Sequence, residues 1–249
     1  MPFSQTPDSK FLFPAIDLRG GQVVRLYKGD YAQQTTYGSD PVAQAKVFEA
    51  AGATWLHVVD LDGARSGQVE HLEVIRAICR ETKLKVEVGG GVRSTAAVDQ
   101  LLAAGVSRAI IGTAALRNWE WFASIAKNFA YAQKLVLGLD AHDGKVAVSG
   151  WEETTGALAT DLARKVKGWP LAAIIYTDIA TDGTLQGPNL EATGSMCKAT
   201  DVPVVASGGV GTLEHLRQLR ELPVAGAIIG KALYENRFSI EEAVKAMEG

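Results

Sequence analysis

The chain has 249 residues, longer than a typical domain but ordinary for one α/β barrel. Apolar residues make up 47% and charged residues 21%, the balance of a globular protein that buries a large core, and a net charge of −3 excludes an overall basic field for nucleic acid or anionic lipid. Cys79 and Cys197 lie far apart with no CxxC or Cys/His spacing, so they read as reduced, partly buried thiols, and a disulfide scaffold or zinc site finds no support.

Residues 1–10 contain no apolar segment of the kind a secretory leader carries and are expected to form a disordered extension. Residues 11–249 then read as one domain. A short apolar run at residues 11–16 precedes an amphipathic helical segment at 41–51, which stops at Gly52. The next run, 55–59, precedes a helix at 69–81, and 85–88 precedes one at 95–104, which stops at Gly105. Further runs follow at 109–111, 135–139, 172–176, 202–206 and 225–229, with helices predicted at 190–199 and 213–221. The runs are rich in Val and Ile without clean polar alternation, as in strands of a parallel sheet buried on both faces. None approaches the length of a membrane span, so a soluble, cytoplasmic protein is expected.

Eight strand candidates alternating with helices indicate a parallel α/β fold, either a closed barrel or a doubly wound open sheet. An internal repeat favours closure. Gly90-Gly91-Val92 recurs as Gly208-Gly209-Val210 and Ile110-Ile111-Gly112 as Ile228-Ile229-Gly230, both 118 positions apart, the same offset that relates Asp60 to Asp178. Asp17 and Asp140 follow strands in similar contexts at an offset of 123, which one insertion explains. The prediction is a single (β/α)8 TIM barrel built from two four-strand halves.

In such a barrel the site lies at the C-terminal ends of the strands. Asp17 and Asp140 would then face each other from strands 1 and 5, placed for general acid and general base work, unless each merely caps a loop. Glycine lets backbone N–H groups approach phosphate oxygens closely. Gly208, Gly209, Gly230 and Lys231 fall on strands 7 and 8, the usual phosphate position, and Gly90, Gly91, Gly112 and Thr113 are their equivalents half a barrel away. Any one pair is explained as well by a tight turn; the matched duplication indicates two phosphates on opposite sides of the mouth. His57, His71, His142 and His215 form no metal spacing, and His57 within a strand and His215 within a helix read as structural. Trp119 and Trp121 are expected in the outer helix layer, whereas Trp151, after strand 5, either stacks on a planar heterocycle or anchors its loop.

The same residues carry a family resemblance. Phe13-Pro14-Ala15-Ile16-Asp17-Leu18-Arg19-Gly20-Gly21, Val24-Arg25-Leu26, His57-Val58-Val59-Asp60-Leu61-Asp62-Gly63-Ala64 and Val88-Gly89-Gly90-Gly91-Val92-Arg93 resemble the ProFAR isomerases of histidine biosynthesis. So do Val146-Ala147-Val148-Ser149-Gly150-Trp151 and Thr177-Asp178-Ile179-Ala180-Thr181-Asp182-Gly183-Thr184. The resemblance implies a cofactor-free Amadori rearrangement of an aminoaldose to an aminoketose, with no metal. It makes Asp17 the proton acceptor and Asp140 the donor, gives Thr177 and Asp182 a supporting or shared acid role, and stacks Trp151 on the imidazole-carboxamide. Arg19 and Arg93 join the glycine pairs, Thr113 and Lys231 as substrate-binding positions. After Gly63-Ala64-Arg65 the family commonly has an asparagine near the start of the next helix, where this chain has His71 or its neighbours.

The implied partner is one small molecule with a phosphate at each end, bound by a monomer without nucleic acid or membrane. Three alternatives remain at this point. The related cyclase barrel shares both aspartates but continues its first strand differently from Ile16-Asp17-Leu18-Arg19, and Ser149-Gly150-Trp151 also favours the isomerase. A bifunctional isomerase would also accept phosphoribosylanthranilate. A non-catalytic phosphate-binding barrel would be expected to have lost one of the aspartates, and both are present.

Overall fold

The computed structural model describes residues 11–27, 29–151 and 153–248, so the expected N-terminal extension lies outside the described residues. The strands are β1 (Phe11–Arg19), β2 (Gln22–Tyr27), β3 (Asp30–Gly38), β4 (Trp55–Asp60), β5 (Lys85–Gly89), β6 (Arg108–Ile111), β7 (Leu135–His142), β8 (Lys145–Val148), β9 (Glu153–Leu158), β10 (Ala173–Asp178), β11 (Val204–Ser207) and β12 (Gly226–Ile229). Eight of them pair in parallel in the order β1-β4-β5-β6-β7-β10-β11-β12, and β12 pairs back onto β1. The closed (β/α)8 barrel therefore follows the sequence prediction, each barrel strand falling on a predicted apolar run.

Period-two alternation divides the buried side chains into two shells. Phe13, Ala15, Trp55, Ile110, Val136, Ile175, Val205 and Ile228 fill the barrel interior. Their neighbours Ile16, Leu56, Val86, Ile111, Leu137, Tyr176, Ala206 and Ile229 pack under the helices. Both faces are apolar, which is why no polar alternation is visible in the sequence. Trp119 lies 5.5 Å from Phe122 and 5.7 Å from Trp169 in the outer layer, and Trp121 bonds Thr95 there, as expected. Cys79 and Cys197 are half-buried and not joined in a disulfide, and burial pushes the Cys79 thiol up to about 11.

Four of the predicted helices appear within a residue or so of their expected bounds: Pro41–Ala50, Thr95–Ala103, Leu190–Ala199 and Leu213–Arg220. The exception is the helix expected at 69–81, which begins at Leu72 and is preceded by a separate short helix, Leu61–Ser66. The cause is Asp60. This fully buried carboxylate accepts Gly63 N–H through Oδ1 at 2.8 Å, and Glu70 and His71 N–H through Oδ2 at 2.7 and 2.9 Å. Residues 69–71 are thereby pulled back towards β4 and cannot enter the helix. Asp178 repeats the arrangement in the second half, accepting Thr181 N–H and the Asn189 side-chain amide at 3.2 and 2.7 Å.

Two antiparallel hairpins interrupt the alternation and were not anticipated. β2 and β3 extend β1, and β8 and β9 extend β7, so each half-barrel opens with an excursion over the mouth. β3, Asp-Tyr-Ala-Gln-Gln-Thr-Thr-Tyr-Gly, is largely exposed and offers no apolar face to read.

Asp60→Ala removes the acceptor of three backbone N–H groups, one buried and two partly buried, and is expected to cost about 3 kcal/mol of stability. Asp178→Ala, which frees one backbone donor and a side chain able to rotate, is expected to cost less. Urea denaturation checks both; a loss below about 1 kcal/mol in Asp60→Ala contradicts this role.

Candidate active site at the barrel mouth

All eight barrel strands end on the same rim, and their register sets the polar layer. Asp17 aligns with Val59 and Val59 with Gly89; Asp140 aligns with Thr177 and Thr177 with Ser207. β1 and β7 are separated by three strands in either direction, so the two aspartates stand on opposite walls. Between them lies a cavity of about 280 Å³ that also exposes Thr177, Asp182, Trp151, Gly90, Gly91, Arg93, Gly112 and Thr113. An adjoining niche of about 30 Å³ is walled by Gly208, Gly209, Gly230 and Lys231 and shares Arg25 and Asp182 with the main cavity. The structure thus brings together nearly every site residue expected from the sequence.

Arg19 is the exception. Its guanidinium donates to Tyr31 O at 2.9 Å and Gln34 Oε1 at 2.7 Å and lies over the Tyr31 ring, so it braces the β2–β3 hairpin and does not line either cavity. Arg25, which sequence reasoning left out of the site, lies inside it. Nη1 meets Asp17 Oδ1 at 2.9 Å with both side chains 14% exposed, and a Cβ on Gly230 would fall 2.0 Å from Nη2. Gly230 is glycine because Arg25 occupies the space. An arginine between apolar neighbours on a short strand was the available signal, hidden because β2 itself was not recognised.

The carboxylates differ in their surroundings. Burial raises the Asp17 carboxyl above its ordinary value, against the opposing charges of Arg25 and His57. Burial likewise raises Asp140, opposed by hydrogen bonds from Trp151 and Thr177 and by His57. Burial pushes Asp182 up to about 6; Arg25 pulls it down, while the charges of Asp17 and Asp140 push it further up. Acid–base chemistry near neutrality needs carboxyls moved in this direction.

Trp151 Nε1–H donates to Asp140 Oδ2 at 2.8 Å. Ser149, Gly150 and Trp151 all have positive φ, 60°, 67° and 74°, a run that costs backbone energy at the two non-glycine positions and turns the indole inwards. The ring rests on Gly29 of the other hairpin, where a Cβ would lie 2.5 Å from Cε3. The two excursions therefore touch across the mouth.

The glycine pairs have a packing reason of their own. A Cβ on Gly90 or Gly91 would fall 2.1 Å from Asp60 O or 2.2 Å from Gln68 O, and one on Gly209 would fall 2.1 Å from Gly187 O. Their φ values of 96°, 74° and 83° lie where glycine is favoured. Each pair is pressed against the loop following the preceding strand, leaving its backbone at the cavity wall. Lys231 Nζ reaches Gly183 O at 3.1 Å and Glu235 at 3.6 Å, and Arg93 donates to Ala64 O at 2.8 Å. Asp60, Asp62 and His71 place potential ligand atoms within 4.8 Å of one another, but both Asp60 oxygens already accept backbone N–H groups.

Asp182 yields a pH test. Its carboxyl titrates near 6 in the folded protein and near 3.8 ordinarily, so between these values the folded state holds a proton that the unfolded chain has released. Its contribution to stability is full below 3.8 and is lost as pH rises through about 6. Water in the cavity limits the effect to about 1–2 kcal/mol. Asp182→Asn should gain stability relative to the parent between pH 4.5 and 7, measured by urea denaturation at both; a pH-independent difference contradicts the shift.

Residues 11–239 match the model of a family described as histidine biosynthesis protein. A Parasynechococcus marenigrum relative named 1-(5-phosphoribosyl)-5-((5-phosphoribosylamino)methylideneamino) imidazole-4-carboxamide isomerase is 48% identical over 95% of this chain and 93% of its own length. Relatives of the same name from Dinoroseobacter shibae and Moorella thermoacetica are 45% and 46% identical, covering 95% and 94% of this chain and 98% and 96% of their own lengths. The chain belongs to the histidine biosynthesis protein family.

Proposed function

We propose that the chain is an aldose–ketose isomerase that converts the aminoaldose ProFAR to its aminoketose by an Amadori rearrangement. The observation that carries this reading is the pair Asp17 and Asp140 on opposite walls of one cavity, with Gly90, Gly91, Gly112 and Thr113 on its wall and a niche walled by Gly208, Gly209, Gly230 and Lys231 beside it. The names of the relatives support it independently.

In this reading the two phosphates of the substrate bind at Gly90, Gly91, Gly112 and Thr113 on one side and at Gly208, Gly209, Gly230 and Lys231 on the other. Fixing both ends suspends the reacting sugar between the aspartates and removes most of the orientational cost. Asp140, supported by Thr177 and joined by Asp182, protonates the furanose ring oxygen, and the ring opens to a Schiff base. Asp17, paired with Arg25, removes the C2′ proton. The enolamine that results tautomerises to the ketone. Trp151 gives up its bond to Asp140 or keeps it while its ring stacks on the imidazole-carboxamide. Residues 11–249 act as one domain, a cytoplasmic monomer on a small-molecule substrate.

Asp17→Asn and Asp140→Asn are each expected to lower kcat by about 10²–10⁴-fold while the fold survives. Deuterium uptake from solvent at C2′ should cease in Asp17→Asn. It should fall with turnover in Asp140→Asn, unless Asp182 substitutes as the acid. Near wild-type turnover in Asp17→Asn contradicts the mechanism. For the phosphates, Lys231→Met removes a cation without disturbing the packed glycines and should raise KM on the order of tenfold with kcat little changed; an unchanged KM removes Lys231 from the binding site.

A further inference from the structure

His57 occupies a place that the reaction so far leaves unused. Its strand register puts it beside Ala15 on β1 and Glu87 on β5, two residues below the level of Asp17, and its side chain lines the main cavity. Nδ1 lies 2.8 Å from Glu87 Oε1, and Glu87 is wholly buried in the barrel interior. The second Glu87 oxygen lies 3.8 Å from Arg108 Nη1 and accepts no hydrogen bond. A carboxylate acceptor at Nδ1 fixes the ring proton there and leaves Nε2 with a lone pair. Among the described residues Nε2 has no hydrogen-bond partner, although the residue is only 9% exposed. His57 lines the same cavity as Asp17 and Asp140.

An imidazole with Nδ1 anchored and Nε2 open to the cavity can accept from a substrate donor. The rearrangement supplies one. Once Asp17 has taken the C2′ proton, the enolamine carries a hydroxyl on C2′ whose proton must leave for the ketone to form. We infer that His57, held by Glu87, accepts this hydroxyl proton. The inference rests on the isomerase reading above.

In this step the O–H bond of the enol breaks and its electron pair forms the C2′ carbonyl. The pair of the C1′–C2′ double bond takes a proton at C1′ from Asp17, which returns to its carboxylate. Nε2 gains the hydroxyl proton. Asp140, deprotonated when it opened the ring, recovers a proton as His57 releases one through solvent on product departure, so the cycle closes without any further reactant. His57 lies two residues below the level of Asp17 on the neighbouring strand and lines the cavity that both aspartates face.

Two substitutions separate the ring nitrogens. His57→Asn keeps an amide near the position of Nδ1, able to donate to Glu87, and deletes Nε2. His57→Gln carries its terminal amide out to the position of Nε2 and restores an acceptor there. The readout is the ratio of C2′ deuterium exchange to product formed, which does not depend on how much of a variant is folded. His57→Asn should lower kcat by about 10–10²-fold while exchange continues, so the ratio rises at least several-fold, and His57→Gln should recover part of the loss. Equal losses of exchange and product in both variants, or wild-type turnover in His57→Asn, overturn the inference. The parent enzyme, assayed first with ProFAR, keeps the two readings apart: no turnover there defeats the isomerase assignment, whereas turnover with an unchanged ratio in the variants defeats only the role of His57.

Discussion

Charge taken out of water governs this mouth. Asp17, Asp140 and Asp182 sit where the barrel leaves them little solvent, and burial raises all three carboxyls above their ordinary value. Arg25 breaks that uniformity. It bonds Asp17, acts on Asp182 and does not figure in the surroundings of Asp140. Much of the local structure accommodates it: β2 exists to carry the guanidinium back over the rim, Gly230 has no side chain where it lies, and Arg19 and Tyr31 brace the hairpin from outside.

Two like halves give this chain unlike walls. Asp60 and Asp178 staple equivalent loops, and the glycine pairs beside them have equivalent close contacts. At the same offset of 118, however, Asp182 corresponds to Ala64, and at the offset of 123 Arg25 corresponds to Val148. The scaffold supplies two matched glycine pairs suited to a substrate with matched ends, while Arg25 and Asp182 have no charged counterpart in the other half. Two carboxyls in different environments are how one site provides both an acid and a base. His71 shows a smaller divergence: it corresponds to Asn189, but its Nε2 bonds Asp62 at 2.7 Å, and Asp62 in turn accepts Gly20 N–H at 2.6 Å, which ties the second loop to the first hairpin.

The eight barrel strands and their closure were legible because double-sided burial writes continuous apolar runs and the duplication writes matched glycines. Asp17, Asp140 and the glycine pairs were legible for the same reason, since each terminates such a run. What escaped was whatever depends on tertiary placement. The hairpins carry few buried residues, so β3 shows no hydrophobic pattern, and with β2 unrecognised Arg25 had no visible address. Arg19 entered with the family resemblance, yet its side chain turns to Tyr31 and Gln34 outside the cavity. His57 read as structural because a histidine inside a strand usually is; only the anchored Nδ1 and the unpartnered Nε2 reveal that it faces the cavity.

If Arg25 decides which carboxyl serves as the base, its removal must act on Asp17 selectively. A carboxyl-carbon NMR titration of Asp17 and Asp140 in the parent protein and in Arg25→Met measures this directly. The Asp17 carboxyl should titrate at distinctly higher pH in Arg25→Met, with Asp140 nearly unmoved. An Asp17 titration that stays in place, or a shift shared equally by both aspartates, would contradict the account.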